Sequence, residues 1–153
     1  LALQNQGLLG AQVLLTYEDL ADSTRRENFQ NTIEQLLSWS VTPILNENDA
    51  VATQEIKFGD NDSLSARVAK VLDADRLVIL TDVEGLFDSD PRKNPAARLI
   101  PVLNGVKPSL IKQLEKTSGK SGGTSRGTGG MYSKVEAARL ATTAGIETWL
   151  VKG

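Results

Sequence analysis

The stretch Leu77-Val-Ile-Leu-Thr81 is a short apolar run that does not alternate between apolar and polar residues. Runs of this kind belong in parallel sheets that are covered on both faces. Three other runs share this character: Gln12-Val-Leu-Leu-Thr16, Thr42-Pro-Ile-Leu45 and Thr148-Trp-Leu-Val151. We therefore predict four strands in a mainly parallel sheet.

Helical patterns separate these strands. The first is predicted to open with a capping box, Thr24-Arg-Arg-Glu27, and the second begins near Asn61. The third begins near Gly130 and ends at Gly145, a residue suited to a left-handed cap. The order β-α-β-loop-α-β-loop-α-β predicts an α/β fold with three layers, in which helices cover both faces of the sheet.

Two stretches interrupt this order. One runs from Asp88 to Ala97, and the other, from Lys116 to Gly130, is dense in Gly, Ser and Thr. We interpret the second as a flexible loop that leads into a helix. With 153 residues and 40% hydrophobic content, the chain suits a single domain over residues 1–153.

Composition excludes several classes of function. The chain has neither Cys nor His, which excludes disulfides, zinc enzymes of the usual ligand sets and Ser-His-Asp hydrolases. Its formal net charge of -2 gives no basic field to attract nucleic acid or anionic lipid. No apolar run approaches the roughly 20 residues of a membrane-spanning helix, and the first residues carry no secretion signal. We expect a cytoplasmic protein.

Polar clusters follow the predicted strands, where ligands of open α/β sheets bind. Asn46-Glu-Asn-Asp49 is either a solvated turn or a pocket wall with amide donors and acidic acceptors. Gly59-Asp-Asn-Asp-Ser63 is either a helix cap or an anion site at a helix start, and it fails the EF-hand pattern. Thr81 and Asp82 lie at a strand end that turns at Gly85.

The stretch Gly127-Thr-Gly-Gly-Met-Tyr-Ser-Lys134 runs into the third helix. Its glycines let backbone N–H groups approach a phosphate, and the helix dipole favours negative charge there. It is neither a Walker A loop nor Gly-x-Gly-x-x-Gly. The residues alone leave two interpretations open, a phosphate site and a flexible loop before an ordinary helix.

In order and spacing, four segments together resemble the glutamate 5-kinases of the amino acid kinase superfamily. They are Pro43–Val51, Phe58–Ala66, Leu80–Phe87 followed by Asp90-Pro-Arg92, and Gly127–Lys134. The resemblance covers nearly the whole chain, from Gln12 to Gly153. It implies transfer of phosphate from ATP, with Mg²⁺ bridging its phosphates, to the side-chain carboxylate of L-glutamate in proline biosynthesis.

The resemblance also implies roles for individual residues. Asp49 and Asn61 would bind glutamate. Lys134 would stabilise the transferring phosphoryl group, and Asp62 would orient the catalytic lysines. The nucleotide would be bound by these residues: Thr81, Asp82, Thr128, Gly129, Gly130, Met131, Tyr132, Ser133 and Lys134.

Family members begin with a strand and a Gly-rich loop that carries another lysine and a serine, and both elements lie upstream of the segment that matches Leu1. Many bacterial members also carry a further C-terminal domain. We therefore expect a truncated chain with little or no kinase activity by itself. The resemblance implies a homo-oligomer in the complete enzyme and proline as a feedback inhibitor. The alternatives are another superfamily member, acting on acetylglutamate, aspartate, carbamate or a nucleotide, or a non-catalytic nucleotide-binding fragment.

Overall fold

The computed structural model describes residues 3–51, 60–89, 91–92, 94–118 and 130–153, with the backbone alone for 115–118. The chain divides into two compact units, Leu1–Leu64 and Ser65–Gly153. None of the helices in the described ranges combines the length and hydropathy needed to cross a lipid bilayer.

The first unit is a β-α-β arrangement. After a 3₁₀ turn over Gln4–Gln6, its elements in chain order are β1 (Leu9–Leu15), α1 (Tyr17–Ala21), α2 (Ser23–Ser38) and β2 (Val41–Glu47). Strands β1 and β2 are parallel, with Leu9 opposite Val41 and Leu15 opposite Glu47. Helix α2 is the crossover that a parallel pair requires, and it buries Phe29 and Ile33.

Helix α3 (Asn61–Val71) begins in the first unit and continues into the second, since the division falls after Leu64. The second unit then contains β3 (Arg76–Thr81), α4 (Pro108–Ser118), α5 (Met131–Thr143) and β4 (Glu147–Lys152). Strands β3 and β4 are parallel, with Arg76 opposite Glu147 and Thr81 opposite Lys152. The predicted α/β class and parallel pairing are thus confirmed.

The core of the second unit lies on one face of β3 and β4. Small side chains on two helices allow close packing against the strands. The buried cluster contains Ala66, Ala69, Leu77, Ile79, Ala137, Ala141 and Ile146. The alternate residues of β3 point the other way, and Val78 and Leu80 are 48% and 63% exposed. Of the two covered faces predicted, the described residues of this unit show one.

Local capping departs from the sequence prediction in the first unit. The predicted box Thr24-Arg-Arg-Glu27 is wrong, because α2 already begins at Ser23 and its N-cap is Asp22, whose Oδ1 accepts from the Arg25 N–H at 2.9 Å. A capping box does occur one helix earlier. There, Thr16 and Asp19 bond reciprocally around the start of α1. Thr16, predicted as the last strand residue, is therefore a helix cap.

The predicted end of the third helix is confirmed. Gly145 has a φ of 85°, in the left-handed region. The N–H groups of Gly145 and Ile146 donate to the carbonyls of Thr142 and Ala141 at 3.0 and 3.1 Å. This is the hydrogen-bond pattern of a Schellman cap, and it turns the chain directly from α5 into β4.

Candidate active site

Thr81 and Asp82 lie at the carboxyl end of β3. Thr81 is the last residue of the strand and only 7% exposed, whereas Asp82 is exposed. The Thr81 hydroxyl lies 3.4 Å from Oδ1 of Asp82, and the Thr81 carbonyl accepts from the Gly153 N–H at 3.0 Å. Strand pairing therefore fixes Thr81, and Asp82 projects beyond the sheet.

The first turn of α5 carries Met131, Tyr132, Ser133 and Lys134, all of them partly buried. Its N-cap is Gly130, which has no side-chain oxygen to accept from the N–H groups of this turn. Helices α1, α2 and α3 each have an Asp at the cap or in the first turn, whereas α5 has Lys134 in that place. The dipole and the lysine together make this helix start electropositive.

The start of α5 and the end of β3 lie at the same edge of the second unit. Helix α5 packs on β3 and β4 through Ala137 and Ala141, and the Gly145 turn reverses the chain into β4. The helix therefore runs antiparallel to both strands. Its 13 residues and the six of β4 both span about 20 Å. The first turn of α5 is thus brought to the edge that carries Thr81 and Asp82.

A loop that follows β3 is tied back on itself. Phe87 and Leu99 form an antiparallel bridge, and Asp88 N–H donates to the Arg98 carbonyl at 3.0 Å. The turn before it needs glycine, since Gly85 has a φ of 148° and an added Cβ would lie 3.3 Å from Leu99. The irregular segment predicted from Asp88 to Ala97 is therefore a closed loop.

Two ion pairs that the sequence does not predict border this edge. Arg92, on the loop, pairs with Asp82, and Lys152, at the end of β4, pairs with Glu84 at 2.7 Å. The hydrogen bond and charge of Glu84 raise the pKa of Lys152 above its usual value. The Asp90-Pro-Arg92 match was a signal for Arg92, but a pairing across ten residues has no local periodicity to reveal it.

The other predicted site residues lie in the first unit. Asn46 and Glu47 end β2, and Asn48 and Asp49 enter a turn in which the Val51 N–H donates to the Asn48 carbonyl at 3.2 Å. Asn48 N–H also donates to the Leu15 carbonyl at 2.7 Å, which ties the turn to β1. Asp49 is exposed on this turn.

Asn61 and Asp62 occupy the first turn of α3, which begins at the residue predicted. The cap is Asp60, whose Oδ1 accepts from the Ser63 N–H at 2.6 Å. Capping thus accounts for one of the three polar residues, and it leaves Asn61 and Asp62 in the first turn, exposed and partly buried respectively. Thr128 and Gly129 lie outside the described residues.

A cavity of about 490 Å³ lies elsewhere in the second unit. It is bounded by the segment around Leu99–Leu103, by α5 at Val135 and Ala138, and by β4 at Leu150. Its lining is mainly apolar, and it includes none of the predicted site residues. In the described ranges, no group of three or more acidic side chains is placed to hold a metal ion.

Parallel strands, helix crossovers and polar residues at one sheet edge define an α/β protein of the kind that binds ligands beyond its strand ends. The chain belongs to the amino acid kinase family, whose sequence model matches residues 1–152. The predicted family resemblance is thereby confirmed.

Relatives within this family are similar over nearly the whole chain. The glutamate 5-kinase of Pelobacter propionicus is 50% identical over 147 residues, which are 96% of this chain and 38% of that protein. The glutamate 5-kinase of Acinetobacter baylyi is 46% identical over 151 residues, 99% of this chain and again 38% of the relative. The chain thus spans less than half the length of these relatives.

Solved structures agree on the fold. An isopentenyl phosphate kinase superposes with a TM-score of 0.62 at 18% identity, over 99% of this chain and 53% of that one. A carbamate kinase from Giardia superposes with a TM-score of 0.51 at 25% identity, over 80% of this chain and 39% of that one. These likenesses confirm the amino acid kinase fold.

Proposed function

We propose that this chain supplies the nucleotide side of a glutamate 5-kinase. The reaction is transfer of the γ-phosphoryl group of ATP to the side-chain carboxylate of L-glutamate, which gives glutamyl 5-phosphate at the start of proline biosynthesis. The observation that carries the proposal is the 50% identity to a glutamate 5-kinase over 96% of the chain. The electropositive start of α5, at the same edge as Thr81 and Asp82, supports a phosphate site there.

The proposed roles are those that the resemblance to glutamate 5-kinases implies. Thr81, Asp82 and the segment from Thr128 to Lys134 bind ATP, and the Lys134 ammonium neutralises charge on the transferring phosphoryl group. Asp62 orients the catalytic lysines. Asp49 and Asn61 hold glutamate through its charged groups. Mg²⁺ bound with ATP would offset negative charge on the phosphates.

The chemistry suits a chain without His or Cys. A carboxylate acceptor has a pKa near 4 and is already ionised at neutral pH, so no general base is needed. What remains is to position two anions against each other and to offset their repulsion, which backbone N–H groups and lysines can do. We further propose that the complete enzyme is a cytoplasmic homo-oligomer inhibited by proline, with no nucleic acid or membrane partner.

A hybrid enzyme tests the activity. Residues of the Pelobacter propionicus glutamate 5-kinase that match this chain are replaced by the 153-residue sequence, and glutamate-dependent release of ADP is measured. We expect activity with L-glutamate and at least a 100-fold lower kcat for Lys134→Ala, in the range found when one preorganised charge-stabilising group is removed.

Alternative phosphate acceptors and a control lysine complete the test of the hybrid enzyme. Acetylglutamate, aspartate and carbamate replace glutamate in parallel assays. Lys70, in the last turn of α3, is exposed and serves as the control lysine, so Lys70→Ala should keep kcat. A folded hybrid that prefers another acceptor would support a different family activity, and one that binds MgATP without turnover would support a non-catalytic nucleotide-binding fragment.

A further inference from the structure

Asp82 meets a donor at each of its carboxylate oxygens. The Arg92 guanidinium donates from Nη2 to Oδ2, and the Thr81 hydroxyl lies 3.4 Å from Oδ1. The Asp82 side chain is nevertheless 74% exposed, and that of Arg92 is 68% exposed. A carboxylate offers about four lone-pair sites, so Asp82 keeps accepting capacity for a ligand while its orientation is restrained.

Arg92 is presented by a loop with a paired base. At the base, the Ile100 N–H donates to the Leu86 carbonyl at 2.8 Å, next to the Phe87–Leu99 bridge. Higher in the loop, the Asn94 amide donates to the Ser89 hydroxyl at 3.0 Å, and Asn94 Oδ1 accepts from the Ala96 N–H at 3.0 Å. These bonds hold the loop that reaches back to the end of β3.

We propose that Arg92 is a positioning residue for nucleotide binding, which acts by holding the Asp82 carboxylate at the carboxyl edge of β3. This inference rests on the proposed role of Asp82 in binding ATP. An exposed Asp samples several rotamers, and ordering it on binding costs affinity. An arginine that restrains it beforehand removes part of that cost. Exposed ion pairs add little to folding stability, so the effect belongs in ligand affinity.

A second exposed pair provides the control. Arg76 and Glu147 join the first residues of β3 and β4, with Nη2 and Oε2 2.8 Å apart, and Arg76 also lies 4.1 Å over the Trp149 ring. The side chains of this pair are likewise exposed, at 47% and 57%, and the pair links the two strands. It lies at the opposite end of the strands from Thr81 and Asp82, so its loss should leave nucleotide affinity unchanged.

Titration calorimetry of the 153-residue chain with MgATP measures the effect. We expect Arg92→Ala to raise Kd about three- to ten-fold, from the usual cost of ordering one side chain. Arg92→Lys should recover part of the loss, since a lysine keeps the charge but not the planar fork. Arg76→Ala should bind as the parent chain does.

A double substitution separates positioning from direct contact. Asp82→Asn keeps an acceptor oxygen but removes the charge that Arg92 pairs with. If Arg92 acts through Asp82, Arg92→Ala should cost less than about two-fold in the Asp82→Asn background. An equal loss in both backgrounds would mean that Arg92 contacts the nucleotide itself, and it would overturn the proposal.

Hydrogen exchange tests the positioning role of Arg92 separately from the proposed function. Without nucleotide, Arg92→Ala should speed exchange of amides in residues 82–89 about two- to five-fold, while Arg76→Ala should not. Unchanged exchange together with unchanged Kd would overturn the positioning role alone. A parent chain that does not bind MgATP would overturn the proposed nucleotide site, and the positioning role with it.

Discussion

At the scale of single residues, Asp88 shows how one carboxylate closes the loop that carries Arg92. Its Oδ1 accepts from the Arg98 N–H at 3.0 Å and from the Ser89 hydroxyl at 3.1 Å. The hydrogen bond from the Arg98 backbone is the main reason that the pKa of Asp88 lies below its ordinary value of 3.8. The ionised form is therefore the one that the folded loop prefers.

The sign of this shift gives a pH prediction. Because the folded pKa of Asp88 is depressed, its contribution to loop closure is fully present above pH 3.8 and is lost as the pH falls through the lower folded value. An NMR titration should find the Asp88 carboxyl below 3.8, with the Arg98 amide shift following the same midpoint. Asp88→Asn should abolish that step in the Arg98 amide. A midpoint above the ordinary value would contradict the hydrogen bond.

At the scale of elements, the N-terminus of α2 allows a test of which residue caps the helix. Asp22 accepts from the Arg25 N–H, whereas the sequence pattern favoured Thr24. We expect Asp22→Ala to destabilise the first unit by about 1 kcal/mol, the usual cost of losing an N-cap. Thr24→Ala, inside the first turn, should cost under about 0.5 kcal/mol.

Urea denaturation followed by Trp39 fluorescence measures both variants. Trp39 caps the other end of α2, and Trp149→Phe removes the second tryptophan of the chain, which lies in β4. A larger loss for Thr24→Ala than for Asp22→Ala would support the predicted capping box. A loss confined to Thr24→Ala would contradict the structure outright.

Helix and strand positions were predictable where the pattern was long or capped. The run Leu77–Thr81 and the stop at Gly145 were both found, because burial and left-handed backbone leave local marks. Helix α1 was missed because its five residues are too short to show a period. Helix α4 was missed despite Pro108 at its first position, a recognised helix-start signal. Its last residues, from Lys116, lie in the segment that the sequence predicts to be a flexible loop.

The sequence predicts where the candidate site residues lie along the chain, but not which of them form ion pairs. The place of Thr81 and Asp82 at a strand end is predictable because strand ends are visible in the sequence, and the start of α5 is predictable because glycines precede it. The Arg92–Asp82 and Lys152–Glu84 pairs depend on the path of the loop and on strand pairing across distant residues. No sequence period encodes either.

At the scale of the whole molecule, an apolar strand does not reveal which of its faces is covered. Ile79 and Val78 are neighbours in β3, yet Ile79 is 5% exposed and packs in the core while Val78 is 48% exposed. The sequence gives both the same character. The structure of the second unit distinguishes the two residues. The difference between their contributions to the free energy of unfolding therefore measures whether only one face of the strand is packed.

Shortening each of these two side chains to alanine tests whether only one face of β3 is packed. Ile79→Ala should destabilise the second unit by about 2–4 kcal/mol, since it leaves a cavity among Ala66, Leu77 and Ala141. Val78→Ala should cost less than about 1 kcal/mol, because half of its side chain already contacts solvent. Trp149 fluorescence in a Trp39→Phe background confines the measurement to the second unit. A loss for Val78→Ala as large as that for Ile79→Ala would mean that the outer face is packed in solution, for example against a second copy. That loss would then depend on protein concentration, whereas the loss for a core residue of a monomer would not.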